Sequence, residues 1–136
     1  MRNEECGARA LVSETPAQFE NLRKRTKAVG LRVIKVVEAL PRNRTCDIIG
    51  RQMLRSGVSI GANYRAACRA RSTKEFIAKM GIVEEETDET LYWLEVLIAA
   101  GEMKEAPMKP LMNEISEILA ITVSSINTAR KGKRCE

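Results

Sequence analysis

The run Gln52–Phe76, QMLRSGVSIGANYRAACRARSTKEF, decides the fold. At a period of 3.6, Ile49, Met53, Gly57, Ile60, Tyr64 and Ala67 fall on one face, the spacing of a core-facing helix stripe. Gly50, Gly57 and Gly61 sit inside that helix although each interior glycine costs about 1 kcal/mol against alanine. Their spacing of seven and four places them on one side of the cylinder, leaving a strip without side chains. Close packing of a neighbouring helix accounts for such a strip; a groove for a ligand or a partner subunit is the sharper reading. A second stripe carries charge. At 100° per residue Arg51, Arg55, Arg65 and Arg69 lie within an arc of ~80°, with Val58 and Ala62 between them. This cationic ridge reads either as a solvated face paired with acids of a neighbouring helix or as a surface that tracks phosphates.

Working outward, Ser72-Thr-Lys-Glu75 has the form of a capping box and predicts a helix start. Phe76, Met80, Val83, Thr87, Leu91, Leu94 and Ile98 form the apolar face of that third helix, and Gly101 is its natural stop. Upstream, Thr15-Pro16 offers a cap followed by proline in the first turn. The first helix then buries Phe19, Leu22, Thr26, Val29, Val33, Val36, Val37 and Leu40 and ends before Pro41. A loop over Pro41–Arg44 leads to Thr45, the candidate cap of the central helix, which is expected to run to about Arg71. Downstream, Glu105–Pro110 reads as the last connection. A fourth helix with Leu111, Ile115, Ile118, Leu119, Thr122, Val123 and Ile126 inward follows, and the chain leaves it at Gly132. Short loops between long helices force antiparallel neighbours, so the predicted fold is an all-α, up-down-up-down four-helix bundle. The expected organisation is a mobile leader over residues 1–15, the bundle over 16–131 and a basic tail over 132–136.

A chain of 136 residues is one domain by size and can bury about two thirds of its unfolded surface. Aromatic residues are few (Phe19, Tyr64, Phe76, Tyr92 and Trp93), in keeping with a helical protein. Cys6, Cys46, Cys68 and Cys135 are widely spaced, with no C-x-x-C pair and no histidine, so they read as reduced thiols of a cytoplasmic protein. The amino-terminal residues lack a signal-peptide core, and the longest apolar run, Val96–Ala100, is far short of a membrane span. The net charge of +5 is a mild excess. Its distribution says more: basic residues gather at Arg23–Lys27, Arg65–Lys74 and Arg130–Arg134, and acids at Glu84–Glu89.

Without histidine there is no Ser-His or Cys-His nucleophile pair and no Glu-x-x-His di-iron site. The run Glu84–Glu89 points around a whole helix, so a solvated acidic face, or one turned to the arginine ridge, is the stronger reading than a metal site. The expectation is therefore a non-enzymatic protein without a cofactor. Polar residues beside the apolar stripes need partners, and Gln52, Arg55, Asn63 and Glu89, with Ser59 alongside, are expected to form a structural network that fixes helix register or a subunit contact. A ligand pocket is the competing account of the same residues.

The run FENL from Phe19, Leu40-Pro41, Q-x-x-R at Gln52 and Arg55, SIGAN at Ser59–Asn63, R-S-x-x-E-F at Arg71–Phe76, and Glu89 resemble, in order and spacing, the four-helix-bundle family of 23S rRNA intervening-sequence proteins. The resemblance spans residues 19 to about 125. It implies a bacterial cytoplasmic bundle that assembles as a ring-shaped homopentamer, with Gln52, Arg55, Ser59, Asn63 and Glu89 as structural signature residues. A related branch serves as accessory subunit to the reverse transcriptases of diversity-generating retroelements, where a basic pentamer binds nucleic acid and the polymerase. Ala66 stands where many members have glutamate, which makes this end of the helix more cationic. The leading expectation is an oligomer that binds RNA or DNA phosphates through Arg51, Arg55, Arg65, Arg69, Arg71, Lys74, Arg130 and Lys131. The alternative is a protein-interaction scaffold whose ridge is consumed by the acidic third helix of the same or a neighbouring subunit. A small-molecule or metal-binding bundle comes third.

Overall fold

The computed structural model describes residues 16–135, with side chains from 17 to 132, and is an all-α four-helix bundle. The helices are α1 (Pro16–Glu38), α2 (Arg44–Cys68), α3 (Thr73–Ala99) and α4 (Glu105–Cys135). At 1.5 Å per residue they are about 35 to 46 Å long. Consecutive helices pack along their length and α4 returns to α1 through a lighter contact. The expected leader and the Thr15 cap lie outside the described residues.

The core is a continuous seam of Phe19, Val29 and Val33 from α1, Met53, Ile60 and Tyr64 from α2, Phe76, Met80 and Leu94 from α3, and Ile115 and Ile118 from α4, all fully or almost fully buried. Two stripes are rotated from the sequence reading. In α3, Thr90 and Leu97 are buried while Leu91 and Ile98 are half-exposed. In α4, Val123 is 37% exposed, and Ser125, Ile126 and Ala129 continue the buried face. Among the described residues, no helix is long and apolar enough to cross a membrane.

Helix ends follow local chemistry. Ser72 caps α3, accepting from the Glu75 amide at 3.0 Å, and the Glu75 carboxylate reaches back to the Arg71 amide at 3.0 Å. Gly101, at φ +77°, terminates α3 in the left-handed region that glycine adopts without strain. At α2 the cap is Asn43, not Thr45: its Oδ1 accepts from the Cys46 amide at 2.8 Å, two residues earlier than expected. The helix also ends earlier, at Cys68, because Arg69 is its C-cap and Ser72 already opens the next helix. The last connection is shorter than expected, since α4 begins at Glu105. Pro107 falls in its first turn, where a missing N–H costs nothing, and Pro110 forfeits one backbone bond a turn further on. The helix also continues past Gly132 to Cys135.

The glycine strip of α2 lies against α1. A Cβ on Gly57 would sit 2.8 Å from a methyl of Val33, and one on Gly61 would sit 3.4 Å from the backbone of Thr26 and Lys27. Close packing is thus what Gly57 and Gly61 provide. At the end of the bundle that holds the α1–α2 and α3–α4 loops, the Cys46 thiol donates to Glu102 at 3.3 Å and Asn43 Nδ2 donates to the same oxygen at 3.1 Å. Burial foremost, and then the Glu102 carboxylate, push the Cys46 thiol pKa up. Cys46 and Cys68 are buried and neither is in a disulfide.

Candidate nucleic-acid interface

Up-down-up-down connectivity brings the start of α1, the end of α2, the start of α3 and the end of α4 to one end of the bundle. Six of the sequence-predicted phosphate-binding residues meet there: Arg65 and Arg69 from α2, Arg71 and Lys74 around the α2–α3 turn, and Arg130 and Lys131 from α4, all exposed. Arg51 and Arg55 lie further along the outward face of α2, also exposed. The eight residues therefore divide into a basic pole and a ridge running away from it.

α3 of the same chain engages the ridge at Arg55, whose Nη2 lies 3.8 Å from Glu89 with the arginine side chain 64% exposed. Arg51 and Arg65 make no ion pair among the described residues. Arg65 instead rims a groove of about 590 Å³ between α1 and α2, together with Arg23, Lys24 and Lys27 of α1. The floor is apolar, with Leu31 56% exposed and Val58 43% exposed. This α1 row was visible in the sequence as a basic cluster but was not assigned to the surface, because only the close approach of α1 to α2 sets it beside Arg65.

The expected polar network forms in part. Arg55 Nη2 donates to Gln52 Oε1 at 3.4 Å, and Glu89 joins it through the ion pair. Ser59 and Asn63 do not join. Ser59 Oγ donates to the Arg55 carbonyl at 2.6 Å and Asn63 Nδ2 to the Ser59 carbonyl at 2.9 Å, so each is satisfied one turn back on its own helix. The member missed by sequence reasoning is Trp93, whose Nε1 donates to Glu89 Oε2 at 3.2 Å. Its signal was its position one turn after Glu89. Deeper in the same seam Thr90 Oγ1 donates to Ser56 Oγ at 2.9 Å, and Ser56 donates to the Met53 carbonyl at 3.1 Å. Beside them burial foremost, followed by the Glu89 carboxylate, pushes the Glu86 pKa up, while Arg55 pulls the other way.

At the lighter α1–α4 contact Arg25 grips Glu114 through two bonds, Nε to Oε2 at 2.9 Å and Nη2 to Oε1 at 2.7 Å. The Arg25 hydrogen bond holds the Glu114 carboxyl below the usual range. Arg25 is thereby taken out of the basic surface that its neighbours form.

Four antiparallel helices around one core, with polar residues along one seam, define the class as an all-α four-helix-bundle protein. The sequence profile of the family described as "23S rRNA-intervening sequence protein" matches residues 20–124, and the chain belongs to that family. Among solved structures, it is similar to the crystal structure of a protein of unknown function from the S23 ribosomal protein family of Bacteroides thetaiotaomicron VPI-5482. The two are 32% identical with a TM-score of 0.72, over 77% of this chain and 97% of that one. A search among curated proteins finds no match.

Proposed function

We propose that this chain is a non-enzymatic, homo-oligomeric bundle that binds RNA or DNA through the basic pole, with the α2 ridge extending the footprint. By resemblance the assembly is a ring-shaped pentamer of a bacterial cytoplasm, encoded in an rRNA insert or acting beside a reverse transcriptase. One observation carries the nucleic-acid reading: residues scattered from Arg65 to Lys131 in sequence are brought to one end of the bundle, exposed. Phosphates spaced along a strand are matched by such a cluster, and the bond is largely counterion release. The absence of histidine supports a binding role over acid–base catalysis.

The test is the retention of a structured RNA and a duplex DNA by the purified protein across a salt series. Binding at low salt should fall steeply as salt rises, and Arg71→Glu with Lys74→Glu should weaken it by about tenfold or more. Both positions are exposed, and Glu at the first turn of α3 suits the helix dipole, so folding is retained. Absence of retention at low salt overturns the reading. The second reading, a protein-interaction scaffold, is favoured by the exposed Leu31 and Val58 on the groove floor, since aliphatic groups contribute little to phosphate recognition.

A further inference from the structure

The aromatic side chains of this protein all lie away from the surface of the basic pole. Phe19, Tyr64 and Phe76 sit within about a turn of the helix ends that build the pole, yet they are only 2%, 0% and 0% exposed. Phe19 and Tyr64 stack on each other with ring centroids 6.5 Å apart, so their faces are turned into the core. Tyr92 is exposed, but it lies roughly 28 Å along α3 from Thr73, near the far end of the bundle. Exposed Asp88 and Glu95 flank it a turn to either side, and it packs edge-on against Trp93 at 5.1 Å. The groove that Arg65 rims is floored by aliphatic groups, Leu31 and Val58. What the pole presents is therefore charge, in Arg65, Arg69, Arg71, Lys74, Arg130 and Lys131.

We infer that the pole takes double-stranded RNA or DNA by its phosphate backbone in preference to single strands. This rests on the nucleic-acid reading above and names the substrate class of that same site. A flexible single strand loses conformational freedom when it is held, and proteins that bind it offset the loss by stacking successive bases on aromatic side chains. No aromatic face is open at the pole. A duplex keeps its bases stacked on one another and arrives already ordered, so it needs only cations from the protein. It also carries the denser charge, one phosphate per ~1.7 Å of axis with both strands counted. The layout of the pole fits a duplex as well. Its basic residues come from the end of α2, the start of α3 and the end of α4, and neighbouring helices of a bundle stand about 8–10 Å apart, so the charges cover a patch and not a line. A duplex presents phosphates over a patch, in two rows flanking a groove; a single strand presents one row.

Fluorescence anisotropy on the full chain at matched salt separates the outcomes. The probes are a labelled duplex DNA, a labelled duplex RNA and the unpaired labelled strand of each, chosen free of self-complementarity. Each duplex should bind about tenfold or more tightly than its own strand, and Arg71→Glu with Lys74→Glu should weaken the duplexes. A second variant adds what the pole lacks. Ala78 is exposed one turn after Lys74, and Ala78→Trp should raise single-strand affinity several-fold while leaving the duplexes nearly unchanged, with helicity by circular dichroism as in the wild type. Single strands bound as tightly as duplexes, and weakened by the same pair of glutamates, would keep the nucleic-acid reading and remove the duplex preference, because the arginines would then be stacking on bases. An Ala78→Trp chain that gains nothing on single strands would also remove it, since stacking would not be the missing element. If no probe is retained even at low salt, the nucleic-acid reading and the duplex preference fall together.

Discussion

Helix α2 meets α1 on one flank and α3 on the other, and the two seams are made of different materials. Against α1 it presents glycines, and the fit is set by shape: Val33 fills the space that a Gly57 side chain would need. Against α3 it presents Ser56, Gln52 and Arg55, and the fit is set by hydrogen bonds to Thr90 and an ion pair to Glu89. A seam fixed by shape tolerates no added volume. A seam fixed by polar contacts tolerates volume-conserving changes but penalises an unpaired group. The first seam brings two basic rows together; the second sets one ridge arginine, Arg55, against Glu89.

The hardest test of that contrast is Gly57→Ala. Alanine gains about 1 kcal/mol of helix propensity. Its Cβ, however, would sit 2.8 to 3.0 Å from three atoms of Val33, a β-branched side chain with little freedom to turn away. Three simultaneous close contacts put the overpacking cost at the upper end of about 1–3 kcal/mol, so after the gain in propensity the expected net result is a loss of about 2 kcal/mol in urea unfolding. In a Val33→Ala background the two methyl contacts are gone and only the 3.0 Å approach to the Cβ remains, so the same substitution should cost clearly less, which a double-mutant cycle reads as coupling. A gain in the wild-type background would show that shape does not set this seam.

The polar seam should respond less. Thr90→Val keeps the volume and removes the hydroxyl that bonds Ser56 at 2.9 Å, while Ser56 keeps its bond to the Met53 carbonyl. The expected loss is about 1 kcal/mol, below that of Gly57→Ala. An unchanged urea midpoint would mean that the buried hydroxyl pair does not hold α2 on α3.

What was legible in the sequence follows the same division. The glycines at intervals of seven and four announced a close approach because no other residue leaves that space, and Ser72 with Glu75 announced a helix start because capping is local chemistry. The bundle followed from four periodic stripes. The Asn43 cap escaped because Thr45 offered the same chemistry two residues on, and only the backbone path selects between them. Ser59 and Asn63 were assigned to a cross-helix network since spacing alone does not tell a bond across a seam from one to a carbonyl a turn back. The gathering of Arg71, Lys74 and Arg130 needed the topology, and the pairing of Arg65 with the α1 row needed the glycine contact.

The finest test concerns a carboxylate that the polar seam does not fully satisfy. Glu86 Oε2 is buried without a hydrogen-bond partner among the described residues, and burial raises its pKa above the ordinary carboxylate value. A raised acid binds its proton more tightly in the folded state, so the ionised form is penalised at neutral pH and the penalty is relieved as pH falls through the raised pKa. Glu86→Gln keeps the shape and removes the charge. It should stabilise the fold at neutral pH by a few tenths to about 1 kcal/mol, and the gain should shrink on acidification. Glu114 has the opposite sign: its depressed pKa supplies stability that is present above the unfolded carboxylate value and lost as pH falls through the folded one. The variant should therefore keep the acid-side decline due to Glu114 while losing the compensating rise due to Glu86, giving a steeper fall in the urea midpoint between neutral and acid pH than the wild type. A loss of stability at neutral pH would show that attraction to Arg55 outweighs burial at this site, and that the α2–α3 seam depends on the charge of Glu86 as well as on its neighbours' hydroxyls.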